Sequence, residues 1–297
     1  MNTPSKDTVV QTYLDEPRLP TLILPANACD SHVHVFGPMS RFAYSPLRKN
    51  TPAEAPKEKL FALHEKMGIS RCVIVQSITH GTDNAVVEDA IDAGGGRYLG
   101  VALVEMDVTD AELKRLASRG FRAVRFHFMK HITGGHDVAD VVKLTPRLAA
   151  VGMHLQVHFE SALVHTVGQE LLKSVVPVVI DHMGRVDAHL GEGHEDFQAL
   201  MRLLDHPHVH VKVSGIDRIE ATARAGSGYP LGLKLAERLV ARFPDQCVWG
   251  LDWPHPNHTH IPDDGELVDA LAQIAPTTVL LEKLLVVNPQ ALYQFEA

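Results

Sequence analysis

The sequence predicts an α/β protein, a single-domain (β/α)8 TIM barrel, on three observations: eight short β-rich runs, a helix-length segment after nearly every run, and polar side chains gathered at the C-terminal ends of the runs. A chain of 297 residues suits this reading, since such barrels occupy roughly 250 residues as one unit. At 45% hydrophobic and 22% charged, the composition is that of a globular protein able to bury a large core.

The predicted strands span residues 28–35, 72–77, 99–104, 123–128, 154–159, 177–181, 209–214 and 247–252, each rich in Val, Ile, Leu or Phe. Predicted helices cover 56–67, 84–93, 110–118, 137–151, 161–174, 195–204, 231–243 and 262–274. A strand followed by a helix, repeated, implies parallel pairing, because a parallel return needs a crossover of about a dozen residues or more. The competing architecture is an open doubly wound sheet, which favours a Gly-rich phosphate turn after the first strand; none stands there. Gly94, Gly95 and Gly96 close a helix instead, as a C-cap does. Residues 1–24 read as an extended N-terminal leader, 25–297 as the barrel domain, and 288–297, with Tyr293 and Phe295, as a terminal segment tucked onto it.

A net charge of −8 without a basic run argues against a nucleic-acid partner. No apolar run reaches membrane-spanning length and the first twenty residues carry no secretory pattern, so a cytoplasmic location with no membrane partner is expected. Cys29, Cys72 and Cys247, widely spaced in apolar runs, suit reduced core thiols. Homo-oligomerisation is left open.

In a barrel the reacting groups project from the C-terminal strand ends. His32 and His34, two residues apart on the first strand, point to one side and can converge. His158, His182 and Asp252 stand at the exits of the fifth, sixth and eighth strands, completing a five-residue ring. His64, His80, His136, His189, His194, His206, His208, His210, His258 and His260 fall in helices, turns or strand starts, where most are expected to be bystanders. Arg125 and Arg185 at strand ends suit an anionic ligand, with a mouth salt bridge to Glu105 or Asp181 as the equal alternative, and Arg218 is a third candidate.

Four segments, Asp30-Ser31-His32-Val33-His34, Val179 to Arg185, Val211 to Gly215 and Trp249 to Pro256, together resemble the amidohydrolase-related family of TIM-barrel hydrolases. Within it the chain is similar to the branch of 2-pyrone-4,6-dicarboxylate lactonase, 4-sulfomuconolactone hydrolase and galactarolactone isomerase. The resemblance implies metal-ligand positions at His32, His34, His158 and Asp252, with His182 as a second catalytic residue. Phe126, His127 and Phe128 occupy the place where binuclear members carry a bridging lysine, so at most one metal ion is implied. Nitrogen and oxygen donors suit one zinc or manganese ion, and the branch equally implies metal-free catalysis.

The implied function is hydrolysis of a small anionic lactone in aromatic or sugar-acid catabolism, Asp252 activating water as general base. Substrate contacts are expected from Arg125, Arg185, Arg218, Ser77, Lys130, Asn50 and His255. Lys49-Asn50-Thr51-Pro52 stands where relatives often carry an aromatic, and Lys130-His131 where a further arginine is usual. A lactone isomerase or metal-dependent decarboxylase on the same barrel, and a non-catalytic acid-binding barrel, are the alternative readings.

Overall fold

The computed structural model describes residues 8–48, 50–128, 136–220, 222, 224–258 and 260–296. Its main sheet has eight parallel strands, adjacent in chain order: β1 (Cys29–Val33), β2 (Arg71–Val75), β3 (Tyr98–Leu103), β4 (Phe121–Phe128), β5 (His154–Phe159), β6 (Val178–Ile180), β7 (Val209–Lys212) and β8 (Cys247–Val248). Each lies within a predicted run or overlaps it by most of its length, because strand-period apolar residues on this chain serve two cores at once.

One set faces inward. Cys29, Val73, Val75, Leu99, Val101 and Ala123 pack with Tyr293 and Phe295 of the C-terminal segment, which plug the lower end of the barrel. Their neighbours in sequence, such as Cys72, Ile74, Ala102 and Val124, belong to the larger core under the helices. Side chains alternate across a strand, so the first four strands contribute to both layers.

Helices Lys57–Met67, Ala85–Ala93, Asp110–Ser118, Glu195–Leu204 and Pro230–Arg242 follow the sequence reading closely. Three others are broken. The 137–151 segment divides into Val138–Lys143 and Thr145–Ala149, where Pro146 lacks the N–H needed to continue the first helix. The 161–174 segment opens with a 3-10 turn before Val164–Leu171, and 262–274 separates into Asp264–Asp269 and Leu271–Ile274. Helical turns at Thr278–Glu282, Lys283–Val287 and Asn288–Tyr293 were not predicted. No helix among the described residues is long and apolar enough to cross a membrane.

Residues 8–24 lie across the mouth of the barrel. Val9–Val10 pairs in parallel with Thr51–Pro52, the Thr12 hydroxyl donates to the Pro254 carbonyl, and Tyr13 packs on Trp253 at 5.3 Å between ring centroids. Arg18 anchors the segment to Asp269 at 2.6 Å.

The seam between β8 and β1 closes the barrel. Ser31 N–H donates to Trp249 O at 2.8 Å, Asp252 N–H to His32 O at 2.7 Å and His34 N–H to Trp253 O at 2.7 Å. Gly250 permits this approach: a Cβ there would stand 2.6 Å from the His32 nitrogen and 2.7 Å from its Cβ. Gly250→Ala must therefore push the two strands apart. The expected result is a loss of roughly 1–3 kcal/mol of stability in denaturant melts, the usual cost of overpacking, accompanied by weakened function because the seam carries His32, His34 and Asp252.

Candidate active site

The charged groups inside the barrel form two tiers above the apolar plug. The lower tier centres on Asp181, which is fully buried after β6. Arg125 on β4 donates to its Oδ2 at 2.8 Å, His32 Nδ1 approaches Oδ1 at 3.3 Å, and Lys212 Nζ lies 3.8 Å from the same oxygen. Lys212 also donates to Ser31 O and Gln156 Oε1, both at 2.8 Å, tying β7 to β1 and β5 through the interior. Burial pushes the Lys212 ammonium down to about 8, with Asp181 opposing the fall. Burial alone would raise the Asp181 carboxyl; Arg125, His32 and Lys212 outweigh it and hold it well below the usual carboxylate range.

The upper tier centres on Asp252. Its Oδ1 faces three imidazoles: His34 Nε2 at 3.5 Å, His32 Nε2 at 3.8 Å and His182 Nε2 at 3.8 Å. Its Oδ2 accepts from Arg218 Nε at 3.0 Å and from Nη2 of the same guanidinium. Against the cost of burial, Arg218 and His182 hold the Asp252 carboxyl well below its ordinary range, so it is a carboxylate at neutral pH. Burial, helped by Lys212, lowers the His32 imidazole to about 3, and burial lowers His182 strongly as well, so both rings are neutral.

The outer nitrogens of the three rings each face a polar group. His34 Nδ1 lies 2.7 Å from the Val75 carbonyl, which can only accept, so that nitrogen carries the hydrogen. His182 Nδ1 is 2.9 Å from Ser214 Oγ, and His32 Nδ1 faces Asp181. Ring nitrogens aimed inward and fixed from behind are the arrangement seen around metal ions. Donor atoms of His32, His34 and Asp252 lie within 4.8 Å of one another, as do those of His32, Asp181 and His182. Asp252 Oδ1 and both His32 nitrogens are buried without a hydrogen-bond partner. These residues fit one divalent ion, and they fit a bound water equally.

Local backbone geometry aims the groups. His182, Met183, Gly184 and Arg185 all have positive φ, from 47° to 63°, forming a left-handed turn that puts His182 over Asp252 and Arg185 at the pocket wall. Asp252 (φ 66°), His255 (φ 57°) and Asn257 (φ 61°) bend the segment after β8 in the same way. Each non-glycine residue in this region costs about 1–2 kcal/mol, and such strain concentrates at functional sites.

Above the two tiers opens a pocket of about 290 Å³. Of the residues proposed from sequence, His34, His158, His182, Asp252, Arg125, Arg185, Arg218, Ser77 and Asn50 line it, and His32 lies beneath Asp252. Lys130 lies outside the described residues. His255 is not at the pocket: its positive-φ turn directs the ring to Asp264, with Nε2 3.0 Å from Oδ1 and both side chains fully buried. Arg125 makes the salt bridge with Asp181 yet still borders the pocket. Arg48, Thr79, His127 and Asn257 also line it, as do Val10 and Thr12 of the N-terminal segment. His127 sits at the end of β4, and the others come from the N-terminal segment and from loops without a repeating pattern, so only proximity in sequence to strand ends could have flagged any of them.

His158 stands apart from the groups that converge on Asp252. Its Nδ1 is 3.0 Å from Arg125 Nη2, and a guanidinium can only donate, so Nδ1 must accept. Burial, then the Arg125 charge, keep the ring neutral. The one hydrogen therefore sits on Nε2, which is buried, unpartnered and unable to ligate a metal in this tautomer. Nitrogen-15 spectra of the labelled protein should show His158 as the Nε2–H tautomer; an Nδ1–H signal would contradict the pairing with Arg125.

A model of the amidohydrolase family matches residues 29–295. The chain is 40% identical over 284 residues to 2-pyrone-4,6-dicarboxylate hydrolase of Comamonas testosteroni, covering 93% of each chain. It is 35% identical over 275 residues to 4-sulfomuconolactone hydrolase of Hydrogenophaga intermedia, covering 91% of this chain and 90% of that one. A crystal structure from Acinetobacter baumannii, described as a 2-pyrone-4,6-dicarboxylic acid hydrolase with citric acid bound, superposes with a TM-score of 0.80 at 26% identity, over 91% of this chain and 100% of the other. Matched from β1 to the C-terminal plug, with the same barrel and near-complete coverage of both relatives, the chain belongs to the amidohydrolase family.

Proposed function

We propose that this protein hydrolyses a small anionic lactone, with Asp252 accepting the proton of the attacking water. The observation that carries this reading is the convergence of His32, His34 and His182 Nε2 on Asp252 Oδ1 at 3.5–3.8 Å. That spacing is too wide for direct hydrogen bonds and wide enough for a shared water. The relatives named for lactone hydrolysis support the reaction class.

Asp252 is ionised across the neutral range, so its base form is always present, but a carboxyl held this low is a weak base. Water attack then depends on polarising the lactone carbonyl. His158, which lines the pocket and whose Nε2–H has no partner, would donate to the carbonyl of a bound substrate, and His182, 3.8 Å from Asp252 Oδ1, would supply the proton to the leaving oxygen. A zinc or manganese ion held by His32, His34 and Asp252 would polarise the same carbonyl and lower the pKa of water to about 7. Asp252 and the three imidazoles orient the water in either case.

The anionic character of the substrate rests on charge balance in the pocket. The Arg125 and Arg218 guanidiniums are paired with Asp181 and Asp252. Arg185 has no hydrogen bond or ion pair among the described residues, and Arg48 is held there only by neutral oxygens, Thr51 Oγ1 at 2.9 Å and Ser45 O at 3.1 Å. Two uncompensated cations in one pocket suit a ligand with carboxylate or sulfonate groups. The bound citrate of the Acinetobacter baumannii relative accords with this.

A panel of neutral, mono- and dianionic lactones, assayed by acid release and product identification, tests the proposal. Stoichiometric ring-opened acid is expected from anionic members; a rearranged lactone without acid release, or CO2, would replace hydrolysis by isomerisation or decarboxylation. Arg185→Met should raise KM about ten- to a hundredfold, the equivalent of one charged hydrogen bond, with little change in kcat.

A further inference from the structure

The Asp252 carboxylate has a mechanical weakness. Both Arg218 donors go to one oxygen, Oδ2, so the orientation of the carboxylate rests on keeping that one oxygen in place. Rotation about the terminal sp3–sp2 bond of an aspartate is soft. Whenever Oδ2 leaves Arg218, Oδ1 swings away from the three imidazoles with it.

A second contact reaches the same oxygen. His258, on the bent segment after β8, places Nε2 3.6 Å from Asp252 Oδ2. Its Nδ1 is 2.9 Å from Oδ2 of Asp217, and both side chains are almost completely buried, at 2% and 1% exposure. Asp217 sits beside Arg218 on the turn after β7, which Gly215 permits with a φ of 71° and which is closed by Arg218 N–H donating to Gly215 O at 3.0 Å. Against burial, the neighbouring His258 lowers the Asp217 carboxyl to about 2, leaving it an acceptor at neutral pH. The imidazole is thus clamped between two carboxylates from different loops, and neither Asp217 nor His258 lines the substrate pocket.

We propose that Asp217 and His258 are a positioning pair for Asp252: Asp217 fixes the His258 ring, the ring blocks rotation of the Asp252 carboxylate on its Oδ2 side, and Oδ1 is thereby kept at the convergence of the imidazoles. The role rests on the reading of Asp252 as the base. It predicts an effect on turnover without an effect on substrate affinity, because the pair touches the carboxylate and leaves the anion-binding arginines in place.

The test compares His258→Asn, His258→Gln, Asp217→Asn and the double variant D217N/H258N, using the anionic lactone the parent turns over best. An Asn amide can reproduce Nδ1 and its contact with Asp217, whereas a Gln amide can reproduce Nε2 facing Asp252. His258→Asn should lower kcat about ten- to a hundredfold, the range typical of outer-shell partners, with KM within about twofold and an unchanged melting temperature. His258→Gln should restore part of the loss, Asp217→Asn should lower kcat less than His258→Asn, and the double variant should be no worse than His258→Asn alone. A folded His258→Asn enzyme with parental kcat, a change confined to KM, or losses that multiply in the double variant would overturn the pair. A crystal structure of His258→Asn reads the same point without substrate: the Asp252 carboxylate should be rotated, and an unmoved carboxylate would overturn the proposal even if no lactone proved to be a substrate.

Discussion

The seam between β8 and β1 is the constraint on which the site depends. Barrel closure joins the two ends of the fold, and here the closing hydrogen bonds run directly through the site, from Asp252 N–H to His32 O and from His34 N–H to Trp253 O. A carboxylate and two imidazoles remote in sequence therefore have their positions set by backbone pairing. Gly250 permits the approach because any side chain would collide with the His32 backbone. The N-terminal segment reinforces the seam from outside, through Thr12 on the Pro254 carbonyl and Tyr13 on Trp253.

Behind this geometry lies a distribution of charge that separates structure from chemistry. Asp181, Arg125 and Lys212 balance one another below the pocket, with the neutral His32 ring beside Asp181, and each charge would be costly to bury alone. Asp252 is balanced by Arg218 on one oxygen, which leaves the other free for a ligand or water. Among the described residues, Arg48 and Arg185 form no ion pair with a carboxylate. The strain in the two left-handed segments, at residues 182–185 and 252–257, is offset by the packing and pairing around them and directs His182 and Arg185 inward while turning His255 away.

Much of this was legible in the sequence. β-rich runs separated by helix-length segments revealed all eight strands, because in a parallel barrel both faces of each strand are covered and the runs are rich in apolar residues. His32, His34, His182 and Asp252 were legible because a strand exit has one place to point. What could not be read depended on contacts across the barrel. His158 occupies a strand exit like the others, yet the neighbouring guanidinium of Arg125 dictates its tautomer and removes it from the ligand set. His255 and His258 belong to one short motif, and only the positive-φ turns decide that the first is buried against Asp264 while the second, expected to be a bystander, reaches Asp252. Arg48 and the N-terminal residues 8–24 lie in segments whose contacts are tertiary.

The account stands or falls on Asp252 as the base that activates water. The most direct measurement is kcat for Asp252→Asn on an anionic lactone that the parent enzyme opens, with the fold verified by its melting curve. The amide keeps the shape and the hydrogen-bonding reach of the carboxylate but cannot take the proton, so kcat should fall about a hundred- to ten-thousandfold. Turnover near the parental rate in a folded Asp252→Asn protein would contradict the account.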